Sequence, residues 1–371
     1  MQRQRLEFRG NAHDFFKVWI INLLLTIITF GLYSPWAKVR NNQYLYGNAY
    51  LGDHSFEYTA NPFRILIGRL IVFGGYLTFS VCANIGHWEV ATLIAAVFVL
   101  LIPFFIRQSV AFKRRYTRFR GVSFKHTASA LSYYKATLPI FIILSIIVAI
   151  YAAPMLGVFK PRNLSDGFFV AWLYSPLIIY AVAALLTPYV FALIKRLIIG
   201  KTSYGHTSFE YNLKIGAVYF VFLKYSLIVL AFVVIPLIAI FDFYTDAYLR
   251  HVPTPLIILY FTSIFVFYAA KGAFDAWIGR VDFNNCSIGG FKTFCEYRAR
   301  ELAPIYIVNF FALLFSCGLL YPWVKVRVLK YKLENVGFEN LDLDGFTGEI
   351  ERQKGALGEE TADFFDLDIG F

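Results

Sequence analysis

The segment NLLLTIITFGLYSPWAKVR, residues 22–40, decides how the chain is read. It is apolar for most of its length, is punctuated by Gly31 and Pro35, and ends in Trp36, Lys38 and Arg40. A tryptophan at the end of an apolar run suits headgroup depth, where adjacent Lys and Arg reach lipid phosphate. NFFALLFSCGLLYPWVKVR, residues 309–327, repeats the segment near the other end of the chain. Asn22, Gly31, Pro35, Trp36, Lys38, Val39, Arg40 and Tyr44 recur at one offset of 287 as Asn309, Gly318, Pro322, Trp323, Lys325, Val326, Arg327 and Tyr331. Eight identities at fixed spacing mark an internal repeat. Each proline stands where a helix can start.

The rest of the chain has the composition this segment announces. Of 371 residues 58% are apolar and 16% charged, against about 25% charged in a soluble domain. Too few charges remain to coat a water-soluble globule, so the chain reads as an integral membrane protein. Eight apolar stretches approach the length of about 20 residues that crosses a bilayer: 16–36, 64–83, 90–111, 138–159, 168–194, 217–241, 255–270 and 304–323. None alternates with a period of two, which argues against a membrane β-barrel. Pro103, Pro154, Pro176, Pro188 and Pro236 lie inside these runs, where helix neighbours can satisfy the freed carbonyls, so kinks are expected rather than ends.

Charge is one-sided. Before Lys332 there are 32 basic and 13 acidic residues, a balance of +19. From Lys332 onward there are three basic and eleven acidic residues, a balance of −8. The loops after the first, third, fifth and seventh stretches are rich in Lys and Arg and the others are poor, which assigns the basic loops to the cytoplasm. Basic loops between spans account for the high isoelectric point without nucleic acid. Anionic lipid headgroups are the expected partners.

A second, shorter repeat lies in those loops. Ser55-Phe56-Glu57-Tyr58, Ser123-Phe124-Lys125-His126 and Ser208-Phe209-Glu210-Tyr211 each follow a basic stretch, with Phe8-Arg9-Gly10 and Phe294-Cys295-Glu296-Tyr297 as weaker relatives. They read as short extended segments and turns at the cytoplasmic face. Eight spans would put the two Pro-Trp motifs on opposite faces. Equivalent motifs belong in equivalent surroundings, so spans 1 and 8 are expected to dip in rather than cross. Six spans then remain, and both tails become cytoplasmic.

No phosphate-binding loop, nucleophile elbow or paired intramembrane carboxylate is present, so no enzyme and no cofactor are expected. His54, His126 and His206 recur near the Ser-Phe segments, but interfacial histidines explain them better than a metal site. Cys82, Cys286, Cys295 and Cys317 form no disulfide framework. Charges inside apolar runs are the better leads, because burying them is expensive: Arg69, Lys224, and the pairs Arg64 with Arg69 and Asp242 with Asp246.

From Asn22 to Arg40 the chain also matches the pattern Asn-x-x-Leu-Thr-x-x-Thr-x-Gly-x-Tyr-x-x-Trp-Ala-Lys-x-Arg, followed by Tyr44 and Phe56-Glu57-Tyr58. In this it resembles the YjgN family of multi-pass bacterial inner-membrane proteins, built around a domain of unknown function. The second copy departs from the pattern, with Ser316 for Thr29 and Leu320 for Tyr33. The resemblance implies an inner-membrane location and carries no catalytic residues.

The sequence therefore predicts an all-α integral membrane protein, a bundle of six to eight transmembrane helices with internal repeats and short polar, partly extended cytoplasmic-face segments. Residues 1–330 form the repeat-built membrane domain and 331–371 an acidic, flexible tail. Its expected role is a pore or carrier for a small anionic solute or lipid, the alternative being a non-catalytic structural or regulatory protein that binds lipid or a partner. Candidate headgroup or anion contacts are Trp36, Lys38, Arg40, Trp323, Lys325 and Arg327, and candidate intramembrane charges are Arg69 and Lys224.

Overall fold

A computed structural model describes residues 3–155, 166–236, 238, 254–343, 345 and 346. Among them the chain forms five units, each a strand, two helices and a second strand. β1 (Arg3–Phe8), α1 (Ala12–Ile28), α2 (Ser34–Gly47) and β2 (Ala49–Leu51) form the first. β3 (His54–Tyr58), α3 (Pro62–Asn84), α4 (Trp88–Arg115) and β4 (Thr117–Phe119) form the second. β5 (Val122–His126), α5 (Ala130–Met155), α6 (Asp166–Gly200) and β6 (Thr202–Tyr204) form the third. β7 (Thr207–Tyr211), α7 (Ile215–Val229), α8 (Thr254–Asn284) and β8 (Cys286–Ile288) form the fourth. β9 (Phe291–Cys295), α9 (Ala299–Phe315), α10 (Tyr321–Glu334) and β10 (Val336–Glu339) complete it.

The all-α bundle is thereby corrected. The ten strands pair antiparallel into a closed barrel, with β10 against β1 sealing the ring. The absence of alternation within the apolar runs excludes only a barrel made of those runs. The observed strands lie between them and are three to six residues long, too short for a period of two to stand out. The barrel is polar outside, where Arg3 and Arg5 bridge Glu296 at 2.8 and 2.6 Å and Ser287 donates to Glu210 at 3.1 Å. It is apolar inside. That is the reverse of a lipid-embedded barrel, and it stands the barrel in water at the membrane surface.

The joints repeat as regularly as the strands. Three residues separate each first strand from its helix, and one residue separates each second helix from its strand. In the five joints the N–H of Arg9, Thr59, Thr127, Asn212 and Glu296 donates to the carbonyl of Asn48, Tyr116, Lys201, Asn285 and Asn335, at 2.8–3.0 Å. Two-residue turns link successive units on the far side. At Gly289-Gly290 φ is positive at both positions (+57° and +83°), the tight turn that matches strand twist and favours glycine.

Above the barrel the helices pack in sequence order, each on its neighbours, and α10 closes the ring on α1. Among the described residues six helices are long and apolar enough to cross a membrane: Pro62–Asn84, Trp88–Arg115, Ala130–Val148, Ile178–Gly200, Ile215–Val234 and Ile258–Asn284. The first and last units are shorter. α1 and α9 have 17 residues and α2 and α10 have 14, roughly 25 and 21 Å at 1.5 Å per residue, below the 30 Å or so of hydrocarbon. These two hairpins enter and return, in keeping with the six-span expectation.

The 287-residue repeat is the tip of these hairpins. Phe30-Gly31 and Cys317-Gly318 adopt the same left-handed pair (φ +49°, +89° and +48°, +86°). The Gly31 and Gly318 N–H groups reach back to the Thr26 and Leu313 carbonyls, both at 2.8 Å. Ser316 keeps the role of Thr29: each hydroxyl donates to the carbonyl four residues back (2.6 and 2.7 Å) and accepts the N–H four residues on (both 3.0 Å). The structured body continues into the segment set apart from residue 331 on composition, since β10 is a barrel strand. Asp242 and Asp246 lie outside the described residues.

β1 and β10 approach closely at Gly337, where an added Cβ would press on the Gln4 carbonyl and lie 2.9 Å from the Arg5 Cα. Gly337→Ala is expected to lower stability by about 1–3 kcal/mol. Gly216→Ala, in open space at the start of α7, should be neutral or slightly stabilising. Thermal unfolding in detergent compares the two.

Candidate functional site

Each returning helix (α2, α4, α6, α8, α10) brings its last turns to the barrel mouth, and all residues of the ten unit helices that line two internal cavities come from these five. The upper cavity, about 600 Å³, lies between α2, α4, α10 and the barrel. Helical spacing puts Lys38, Asn42, Leu45 and Tyr46 on one face of α2, and Lys325, Leu329 and Leu333 on one face of α10. Lys113 and Arg114 come from the end of α4. Among the described residues no Asp or Glu lines this chamber. The nearby basic residues Lys195 and Lys332 are paired, with Asp282 at 2.6 Å and Asp275 at 2.7 Å. Among the described residues Lys38, Lys113 and Lys325 have no carboxylate within salt-bridge distance.

Gathering like charges without a counterion has a cost. Burial pushes the Lys38 ammonium below the ordinary lysine value, and the charges of Arg69 and Lys113 act in the same direction. Lys325 is lowered first by burial and then by Lys113 and Lys332. An anion in the chamber would relieve this repulsion.

The lower cavity, about 520 Å³, is the barrel lumen. It shares Leu6, Phe56, Arg114, Phe124 and Leu333 with the chamber, so the two spaces abut. Five cross-strand pairs, one per unit, form its girdle: Leu6 with Leu51, Phe56 with Phe119, Phe124 with Tyr204, Phe209 with Ile288, and Thr293 with Phe338. Each pair shares one face because side chains alternate along a strand. Leu341, Leu343 and Phe346 pack on this girdle from the chain that leaves β10, with the Phe346 ring 6.1 Å from Tyr204 and 5.7 Å from Phe291.

The Ser-Phe repeat is thus the lumen wall. The turn at Gly289-Gly290 pairs Ile288 with Phe291, as Leu51 pairs with His54, so Thr293 takes the place of Phe56 in the last unit.

The sequence candidates divide between two faces. Lys38 and Lys325 line the chamber, whereas Trp36 with Arg40 and Trp323 with Arg327, four apart on their helices, lie on another face. Trp36 stacks on Tyr33 at 6.0 Å and meets the edge of Phe63 at 5.1 Å. Arg40 lies over Tyr33 at 5.8 Å and Arg327 over Trp323 at 5.0 Å. Arg69 donates to the Ser34 hydroxyl at the start of α2. Lys224 lines neither cavity, and its ammonium lies 4.1 Å from the Phe220 ring and 5.4 Å from Trp277. Sequence reasoning counted Lys113 and Arg114 among loop charges and missed them as site residues. Their signal was that they end a long apolar run immediately before a strand.

His126, on β5, accepts or donates with the Tyr133 hydroxyl at 3.0 Å. Burial, then the charges of Arg114 and Arg107, push it down to about 4.

Ring, barrel and chamber together define a multi-pass membrane protein with a cationic cavity between a helical ring and an apolar barrel lumen. The chain belongs to the family described as "Bacterial protein of unknown function (DUF898)", whose model matches residues 3–364. It is 28% identical over 148 residues to the inner membrane protein YjgN of Salmonella typhimurium strain LT2, covering 39% of this chain and 38% of that one. It is 22% identical over 247 residues to the inner membrane protein YjgN of Escherichia coli strain K12, covering 65% of this chain and 60% of that one. The alignments therefore span less than two thirds of either relative. No solved structure matches the chain. The six apolar helices and these relatives make it a bacterial inner membrane protein.

Because the folded His126 is held below its unfolded value of about 6.5, its contribution to stability is complete above that pH and is lost as pH falls toward about 4. The unfolding midpoint is expected to drop through this window, and His126→Gln to flatten the drop.

Proposed function

We propose that the protein is a pore or carrier for an anionic solute, with the chamber above the barrel as its binding site and the girdle as its barrier. The observation that carries this reading is the set of cations Lys38, Lys113 and Lys325, without a carboxylate partner among the described residues, around one cavity of about 600 Å³. The three lysines are exposed at the cavity rather than sealed in the core, and like charges facing one space without a described counterion make a standing attraction for a negative group. The chamber abuts the barrel lumen, with which it shares lining residues, and this suits a path rather than a closed structural core. The abundance of Lys and Arg on the barrel side assigns that side to the cytoplasm.

Proteoliposome flux tests the reading. The full chain should carry small anions in preference to cations of the same size. Lys38→Gln with Lys325→Gln should reduce anion flux by about tenfold or more, with an unchanged unfolding midpoint. Flux should also fall as pH rises into the range where the two depressed lysines lose their protons. Equal anion and cation flux, or flux indifferent to both lysines, overturns it.

A further inference from the structure

Resting on that reading, we infer that the anion is amphiphilic, a phosphate or carboxylate head on an apolar body, and that it reaches the chamber sideways from the bilayer. The cations alone would serve an inorganic ion. Two further features do not fit one.

The first is the wall beside the lysines. Leu6, Phe56, Phe124 and Leu333 belong to both cavities, so the space next to the cations is bounded by hydrocarbon. A bare hydrated ion gains nothing from such a surface, whereas an apolar body does, at about 25 cal/mol per Å² removed from water.

The second is the height of the ring. The ten helices of the five described units rise from feet one to three residues from the barrel strands. α4, with 28 residues, rises about 42 Å, but α2 and α10, with 14, rise only about 21 Å. The two short hairpins stand side by side, because α1 packs on α10. The ring is therefore notched on one side over the outer part of the bilayer. The hairpin tips are apolar and uncovered, with Phe30 97% and Phe315 80% exposed. Arg69 bonds Ser34 at the top of α2, and Lys38 lies one turn below it. A headgroup entering over the notch meets Arg69, then Lys38, and then the chamber, without leaving apolar surroundings for its body.

The probes are dioleoyl phosphatidylglycerol, dioleoyl phosphatidylcholine and inorganic phosphate, each added to the delipidated full chain in neutral detergent. Native mass spectrometry reads the lipids and equilibrium dialysis reads phosphate. Saturable binding of phosphatidylglycerol, at least tenfold tighter than phosphatidylcholine and weakened at least tenfold in Lys38→Gln/Lys325→Gln, is the expected result. Arg40→Gln/Arg327→Gln, on the other face, should bind as the unaltered chain does. Removing unpaired like charges relieves repulsion, so the lysine variant should fold, and Lys38→Arg/Lys325→Arg should restore binding. Phosphate bound through the same lysines without phosphatidylglycerol overturns the amphiphile and leaves the anion path standing. Binding of neither overturns both. Phosphatidylglycerol held equally by the lysine variant overturns the placement in the chamber.

Discussion

Everything above the barrel depends on the backbone pairing that closes it. Strands of three to six residues offer a handful of hydrogen bonds each, and an isolated pair of that length is marginal in water. Paired on both sides in a ring of ten, no strand is left with an open edge. Closure falls to β1 and β10, meeting at Gly337, so the ring is completed only when the first and fifth units are both in place. The feet of the ten helices are then fixed by the register of the strands, and the chamber lies wherever the returning helices converge.

The outer units were legible in the sequence along their whole length, and the middle three only at the Ser-Phe segments that open them, for a reason of length. The first unit runs from residue 3 to 51 and the fifth from 291 to 339, 49 residues each, so one offset aligns Asn22 to Tyr44 with its copy. In the other units the helices are longer, and no constant period survives. Their relationship is carried by the joints and by inward residues such as Phe56, Phe124 and Phe209, which chemistry varies to Thr293. The long helices announced themselves through hydropathy. The opening strands showed as extended Ser-Phe segments, but their pairing into a barrel did not, because three-residue partners such as Ala49-Tyr50-Leu51 carry almost no pattern of their own.

The candidate site was legible in half. Lys38 and Lys325 stood out through the repeat, but Trp36, Arg40, Trp323 and Arg327 share the motif and lie on another face, where they hold aromatic rings. Only the helical phase separates the two groups. Lys113 and Arg114 join the site from a different unit, across a distance along the chain that no local motif records. The excess of +19 before Lys332 also becomes more specific: some of it coats the barrel exterior in ion pairs with Glu296, and some is turned inward.

The joint of one residue between each returning helix and its strand leaves no slack. A single peptide, pinned by a backbone hydrogen bond across the joint, transmits rotation instead of absorbing it. A returning helix that tilts must therefore turn the strand beneath it, and five such helices act on one hoop. The bore of the barrel and the splay of the helices are mechanically one variable, and widening the lumen without moving helices is left to rotamer changes of the girdle side chains alone.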